Sequence, residues 1–140
     1  MKILIDTNIL ISASLFPDSL PARAYYLAVC PPNKAIVCDQ NVDELRAVYN
    51  RKFPHKLAVM EHFLAQALLI LQVVSTPVDV ENKESEIRDV KDRPILRAAI
   101  NADVDVILTG DKDFLESGIE NPKIFTARDF IDLSEGKAKN

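Results

Sequence analysis

Acidic residues stand where apolar, strand-like runs of this sequence give way to helix-like patterns. Asp6 directly follows "KILI", and Glu44 lies in the first turns of the pattern after "KAIVC". Asp92 precedes "RPILRAAINA", and Asp111 and Asp113 follow "VDVILT". Carboxylates gathered at one place repel one another, and a hard cation such as Mg²⁺ or Mn²⁺ relieves that repulsion. Such a site activates water and stabilises charge on a phosphoryl oxygen, so the residues indicate hydrolysis of a phosphate ester.

Each of these acids also has a purely structural interpretation. Asp6 and Asp92, and one of Asp111 and Asp113, stand where a helix N-cap is expected. Glu44 follows Asn41 by three residues, a spacing close to that of a capping box. The chain contains 21 acidic residues, so acids at helix starts are expected by chance. For any one acid alone, capping and catalysis both stay open.

The elements that must position these acids alternate between strand and helix. The sequence predicts strands at residues 2–6, 34–38, 73–75, 104–109 and 122–126. It predicts helices at residues 7–15, 19–29, 39–53, 56–72, 92–102, 110–117 and 127–134, with a polar loop over 76–91 that contains a helical turn near 84–88. This order predicts an α/β fold with a parallel sheet of four to five strands, covered by helices on both faces. The acids would then collect at the carboxyl edge of the sheet, where sites form.

Length, composition and charge narrow the class of protein. The 140 residues predict a single domain over residues 1–134, followed by a frayed tail at 135–140. The net charge of -4 argues against attraction of the whole surface to nucleic acid or to an anionic membrane, but it permits a local basic patch. No apolar run reaches transmembrane length, so we expect no membrane association and a cytoplasmic location.

Three segments together resemble the motifs of the PIN-domain ribonucleases, the fold of the toxin in many bacterial and archaeal toxin–antitoxin pairs. They are "LIDTNILISA", "VDELRAVYNRKF" and "DVKDRPILRAAINADVDVILTGDKDF", and the resemblance spans roughly residues 2–132. It implies a three-layer α/β/α PIN-like domain. It also implies that Asp6, Glu44, Asp92 and Asp111 are the catalytic and metal-ligating acids. Asp89, three residues before Asp92, is an alternative for the third position.

The same resemblance implies supporting residues and partners. Asn8 would support Asp6, Thr109 would supply the hydroxyl group before the fourth acid, and Asp113 would be an accessory acid. The expected activity is cleavage of single-stranded RNA with Mg²⁺ or Mn²⁺, and the expected partners are a cognate antitoxin and a second copy of the chain. Leu69 and Ile70 widen the apolar stripe of the 56–72 helix, so they are candidates for the homodimer contact, with core burial as the alternative.

Basic residues must lie beside the acids if the substrate is polyanionic. The candidates for binding the RNA backbone are Arg46, Arg51, Lys52, Arg88, Lys91, Arg93 and Lys112. Solvated helix-face charge is the alternative for each of them. The chain has only three Tyr and six Phe, which predicts binding through the RNA backbone rather than through base stacking.

Other classes of protein also carry an aspartate at the end of a strand. The haloacid-dehalogenase phosphatases need a second aspartate two residues after the first, where this sequence has Asn8. A receiver domain needs its acid pair and its phosphoacceptor on different strands, which fits the order of elements poorly. The remaining alternative is a PIN fold that holds RNA or a protein partner with little cleavage.

Overall fold

The protein is a three-layer α/β/α domain, described by a computed structural model over residues 1–137. The last three residues of the predicted tail, 138–140, lie outside the described residues. The strands are β1 (Lys2–Ile5), β2 (Lys34–Cys38), β3 (Gln72–Val74), β4 (Val106–Leu108) and β5 (Lys123–Phe125). The helices are α1 (Thr7–Leu15), α2 (Leu20–Val29), α3 (Asp39–Lys52), α4 (Leu57–Ile70), α5 (Arg93–Asn101), α6 (Lys112–Leu115) and α7 (Ala127–Ser134).

All five strands are parallel, in the order β3-β2-β1-β4-β5. Successive side chains of β1 point to opposite faces, so Ile3 and Ile5 enter one apolar core and Leu4 enters the other. The first core is covered by α1–α4 and α7, and the second by α5 and α6. Helices on both faces explain why the central strands read as continuous apolar runs.

The strand order creates a crevice at the carboxyl ends of β1 and β4. The chain leaves β1 toward β2 through helices on the first face, and it leaves β4 toward β5 through α6 on the second face. Neighbouring strands whose connections diverge in this way form a topological switch point, where α/β proteins bind ligands. The acids after β1 and β4 therefore share one crevice.

The segment 76–91 is anchored to α5 rather than free. It contains two short 3₁₀ turns, Asn82–Glu86 and Val90–Asp92. Arg97 donates from Nε and Nη2 to the two carboxylate oxygens of the buried Glu84, at 3.0 and 2.8 Å, and from Nη1 to the carbonyl of Pro77 at 2.9 Å. A bidentate arginine pair of this kind fixes both distance and orientation.

The apolar residues at the end of α4 lie on the surface. Leu69 is 85% exposed and Ile70 is 58% exposed, with the exposed Val73 nearby in sequence. Core burial is therefore excluded for these two side chains. Among the helices of residues 1–137, none has the length and apolar character needed to cross a bilayer.

Candidate active site

Asp6 lies at the bottom of the crevice and is 4% exposed. Its Oδ1 accepts a hydrogen bond from the backbone N–H of Thr7 at 2.8 Å, so it caps α1, and its Oδ2 accepts from the Thr109 hydroxyl at 2.7 Å. A carboxylate offers about four lone-pair sites, so each oxygen retains acceptor capacity for a further ligand. Capping and ligation are therefore compatible at this residue, and they need not compete.

The segment after β4 is held against Asp6 by a short chain of hydrogen bonds. The Thr109 hydroxyl, which donates to Asp6, accepts from the N–H of Asp111 at 3.0 Å. The Asn8 amide oxygen accepts from the N–H of Gly110 at 3.1 Å. Asp111 in turn caps α6 through the N–H of Asp113 at 2.9 Å. The two residues predicted to support the acids, Asn8 and Thr109, thus fix the loop that carries Asp111.

Glu44 is positioned by a buried network that the sequence does not reveal. Asn41 is fully buried, accepts from the N–H of Cys38 at 2.9 Å, and donates to the Thr7 hydroxyl at 3.1 Å. These bonds tie the start of α3 to the start of α1, and Glu44 is one helical turn farther along α3. The capping box of α3 joins Cys38 and Asn41, so the expected box between Asn41 and Glu44 does not form. Within residues 1–137, the Glu44 side chain makes no hydrogen bond or ion pair, and it is exposed at the rim.

Asp92 carries the one buried side-chain oxygen or nitrogen atom of residues 1–137 that has no hydrogen-bond partner, its Oδ2. It occupies the N-cap position of α5 but makes no side-chain capping bond, so the capping interpretation fails here. Its neighbour Asp111 is another carboxyl group. Burial, the adjacent Asp111 carboxyl group, and the charges of Asp6 and Asp89 raise the pKa of Asp92 to about 8.

The four predicted acids influence one another's charge. Burial raises the pKa of Asp6 to about 6, against the opposing hydrogen bonds from Thr109 and Thr7, and the charges of Glu44 and Asp111 raise it further. The charges of Asp111 and Asp6 both raise the pKa of Asp92. Charge repulsion therefore couples Asp6 to Glu44 and Asp111, and Asp92 to Asp111 and Asp6, and a cation would offset it.

A second grouping of acids overlaps this one at Asp92. Carboxylate oxygens of Asp89, Asp92 and Asp113 all lie within 4.8 Å of one another. Asp89 caps the turn before Asp92 through the N–H of Lys91 at 3.0 Å. Asp113 accepts from Arg88 at 3.0 Å, and Arg88 also contacts Glu116 at 2.8 Å. Arg88 therefore offsets part of the negative charge at Asp113, and Asp89 is the exposed member of these three acids.

Some of the predicted RNA-binding side chains are bonded to other groups of the protein, and others are exposed or line a cleft. Arg46 pairs with Glu61 on α4, and Arg93 donates from Nε to the carbonyl of Ile87 at 3.0 Å. Arg51 lines a cleft beside Glu44, together with Lys91. Lys52 and Lys112 are exposed at the end of α3 and the start of α6.

The residues that sequence analysis missed are mostly structural supports of the acids. Thr7 and Asn41 connect α1 to α3, and Glu84 with Arg97 anchors the segment that leads to Asp92. The signal that could have found Asn41 is its position three residues after a strand end, which favours a reciprocal cap with Cys38 rather than with Glu44. The Glu84–Arg97 pair joins residues 13 apart and leaves no local pattern.

The donor set fits a hard divalent cation. The group consists of carboxylates, the ligand type that Mg²⁺ and Mn²⁺ prefer, and one of their oxygens is buried without a partner. Among residues 1–137, the acids whose carboxylate oxygens all lie within 4.8 Å of one another are Asp89, Asp92 and Asp113, and Asp6, Asp111 and Glu44 act on this region through their charge. Fold and site together define the class of this protein. It is a parallel α/β domain that carries carboxylates at its topological switch point.

Comparisons with known proteins agree with this class. The sequence matches the PIN domain family over residues 2–113, and the chain belongs to that family. No protein with a curated description matches the sequence significantly.

The solved structures of VapBC2 and VapC20 share the fold. One of them is the crystal structure of VapBC2 from Rickettsia felis bound to a promoter DNA fragment. It superposes with a TM-score of 0.67 at 17% identity, over 90% of this chain and 98% of that chain. VapC20 from Mycobacterium tuberculosis, a toxin that cleaves the sarcin-ricin loop, superposes with a TM-score of 0.62 at 16% identity, over 84% of this chain and 95% of that chain. These similarities confirm the predicted α/β/α PIN-like architecture.

Proposed function

We propose that this protein is a Mg²⁺- or Mn²⁺-dependent endoribonuclease that hydrolyses phosphodiester bonds of single-stranded RNA. The observation that carries the proposal is the buried, unpartnered Oδ2 of Asp92 among three further acids at the switch point of a PIN domain. A bare carboxylate group of this kind is costly in the absence of a cation, so its retention favours metal binding over a purely structural role.

The acids would have two different roles in such a reaction, cation binding and activation of the attacking water. Asp6, Asp92 and Asp111 would hold the cation, with Asn8 and Thr109 fixing the loop between them. When bound, the cation supplies Lewis-acid stabilisation of the phosphoryl oxygens and lowers the pKa of water. Glu44 is exposed at the rim with no partner among residues 1–137, so it can orient the attacking water and accept its proton.

The biological setting that we propose follows the relatives. VapC20 is a toxin that cleaves the sarcin-ricin loop, and VapBC2 is bound to a DNA fragment from their promoter. By analogy, this chain would be the toxin of a toxin–antitoxin pair, a cytoplasmic single domain over residues 1–134 that forms a homodimer and is held inactive by a cognate antitoxin.

A cleavage assay tests the enzymatic part of the proposal. Purified protein is incubated with labelled single-stranded RNA in Mg²⁺, in Mn²⁺ and in EDTA. We expect cleavage in either metal, none in EDTA, and loss of at least ~10²-fold in rate for Asp111→Asn. Asp43→Asn is the matched control, because Asp43 is an exposed acid on α3 beside Glu44 in sequence and outside the acidic group. RNA binding without metal-dependent cleavage would instead favour the binding-module alternative.

A further inference from the structure

A cleft of about 300 Å³ adjoins the acidic group between α3 and the start of α5. Glu44 forms part of its wall, so the cleft opens directly beside a predicted catalytic acid. The α3 residues on this wall recur at helical spacing, which makes the wall one continuous face of the helix. The opposite wall is formed by Lys91 and Ile95, on either side of Asp92 and the first turn of α5.

The cations that line this cleft are free to bind an anion. Within residues 1–137, the side chains of Arg51 and Lys91 make no hydrogen bond and no ion pair. Other arginines near the acids are already engaged: Arg46 pairs with Glu61, and Arg88 pairs with Asp113. An unpaired guanidinium group and an unpaired ammonium group facing one cleft form a site for a phosphate group.

The α3 wall of the same cleft suits the rest of a nucleotide. Ala47 and Val48 give it an aliphatic surface, on which the flat face of a base can pack. Gln40 adds an amide that can both donate to and accept from the edge of a base. Ligand pockets start at roughly 300 Å³, so this cleft admits one nucleotide rather than a folded segment of RNA.

We propose that this cleft is a subsite for the nucleotide next to the scissile phosphate, with Arg51 and Lys91 binding its phosphate group and Ala47 and Val48 contacting its base. The inference rests on the proposed function, since it takes single-stranded RNA as the ligand. Glu44 is shared by the cleft and the acidic group, so a strand seated in the cleft presents its adjacent phosphate to the acids. The sequence made Arg51 and Lys91 separate candidates for binding flanking phosphates, and the cleft places both side chains at one subsite.

A binding experiment separates this cleft from general surface charge. The double variant Arg51→Gln/Lys91→Gln is compared with Lys56→Gln/Arg128→Gln, which removes the same two charges from exposed side chains that do not line the cleft. The probe is a fluorescent single-stranded RNA of about 12 nucleotides, in Ca²⁺ so that binding is measured apart from cleavage. Anisotropy is recorded from low to high salt, and melting temperatures verify that each variant folds.

We expect the cleft variant to bind the RNA roughly 10- to 100-fold more weakly than the wild type, since each lost contact is a hydrogen bond to a charged group. The slope of log K against log salt should become shallower by about 0.7 for each phosphate contact removed, while the control keeps the wild-type slope. Equal losses in the two double variants, or no RNA binding by the wild type, would overturn the subsite.

Cleavage and metal binding distinguish this failure from failure of the proposed function. If the wild type cleaves RNA and binds Mn²⁺ but the cleft variant behaves like the control, the subsite is wrong and the nuclease stands. If the wild type binds RNA through the cleft but neither binds Mn²⁺ nor cleaves, the subsite stands and the nuclease is wrong. In an active enzyme, the cleft variant should raise KM with kcat little changed.

Discussion

At the scale of single residues, Asp6 shows that one carboxylate can serve the fold and the site together. It caps α1 with one oxygen and receives the Thr109 hydroxyl with the other, while it is almost completely buried. The hydrogen bonds from Thr7 and Thr109 lower its pKa and so oppose the effect of burial. With a pKa of about 6, Asp6 is mostly charged at neutral pH. A carboxyl group buried to the same degree without these hydrogen bonds would have a higher pKa and would be more protonated there.

Thr109→Val should test the contribution of that hydroxyl group. The substitution preserves shape but leaves a buried oxygen of Asp6 and the N–H of Asp111 without their partner. We expect the free energy of unfolding to fall by about 1–3 kcal/mol, and Mn²⁺ binding to weaken. Urea unfolding and calorimetry measure the two effects. Thr109→Ser retains the hydroxyl group and should restore most of both, and equal damage by Val and Ser would show that packing alone matters.

Asp92 predicts an unusual dependence of stability on pH. Its pKa of about 8, and that of about 6 for Asp6, lie above the ordinary value of 3.8. The folded state therefore holds more protons than the unfolded state from about pH 4 to about pH 8, so the metal-free protein should lose stability as the pH rises through this window.

Urea unfolding in EDTA at a series of pH values measures this loss. In Asp92→Asn, the decline between about pH 6 and 8 should be much smaller, because the group that titrates there is gone. Asp103→Asn, at an exposed acid, should keep the wild-type profile. A wild-type stability that rises with pH over this window, or an unchanged slope in Asp92→Asn, would contradict the assignment.

At the scale of elements, the Glu84–Arg97 pair determines where Asp92 lies. The pair ties the segment before Asp92 to α5, and the buried Ile87 adds an apolar anchor. Breaking the pair leaves a carboxylate in a buried position without its partner, which the protein can relieve only by releasing the segment.

Arg97→Met should therefore loosen residues 76–91 while the sheet persists. We expect faster amide hydrogen exchange in this segment, a lower melting temperature and weaker Mn²⁺ binding. Lys83→Met is the matched control, since Lys83 is an exposed residue of the same segment that donates to the carbonyl of Asn121. If amide hydrogen exchange in residues 76–91 is no faster in Arg97→Met than in Lys83→Met, the segment is held by other contacts.

The elements themselves were largely predictable from the sequence, and their tertiary partners were not. The helices at 7–15 and 127–134 and the strand at 34–38 begin and end where the patterns predict, because caps and apolar periodicity are local signals. The acids meet at one edge because parallel strands share it. Arg46 and Arg93 could not be placed, because their engagement depends on Glu61 and Ile87, which the fold brings near. Asn41 was misjudged because its buried bond to Thr7 crosses from one helix to another.

At the scale of the whole molecule, the exposed apolar residues at the end of α4 are the candidate for self-association. Leu68, Leu69, Ile70 and Val73 are 40%, 85%, 58% and 47% exposed. They follow one another around the last turn of α4 and into the edge strand β3, so they can form a continuous patch. The homodimer that we propose would bury this patch.

Leu69→Asp/Ile70→Asp should shift the protein toward the monomer. Charges placed in an apolar contact would raise the dimer Kd by at least ~10-fold, which sedimentation equilibrium measures. Val78→Asp is the control, because Val78 is 91% exposed and follows Pro77, whose carbonyl is bonded to Arg97 on α5 rather than to α4. A monomeric wild type, or a dimer that is unaffected by the double substitution, would contradict the assignment of this patch.

The central claim is that the acids at the switch point bind a divalent cation, and calorimetric titration of Mn²⁺ into metal-stripped protein tests it most directly. The wild type is compared with Asp6→Asn, which keeps the size and a capping oxygen but removes the charge, and with Asp103→Asn as the control. We predict binding in the wild type and the control, weakening of roughly 10- to 100-fold in Asp6→Asn at a similar melting temperature, and proton release on binding. Absence of Mn²⁺ binding in the wild type, or equal binding in all three proteins, would contradict the account.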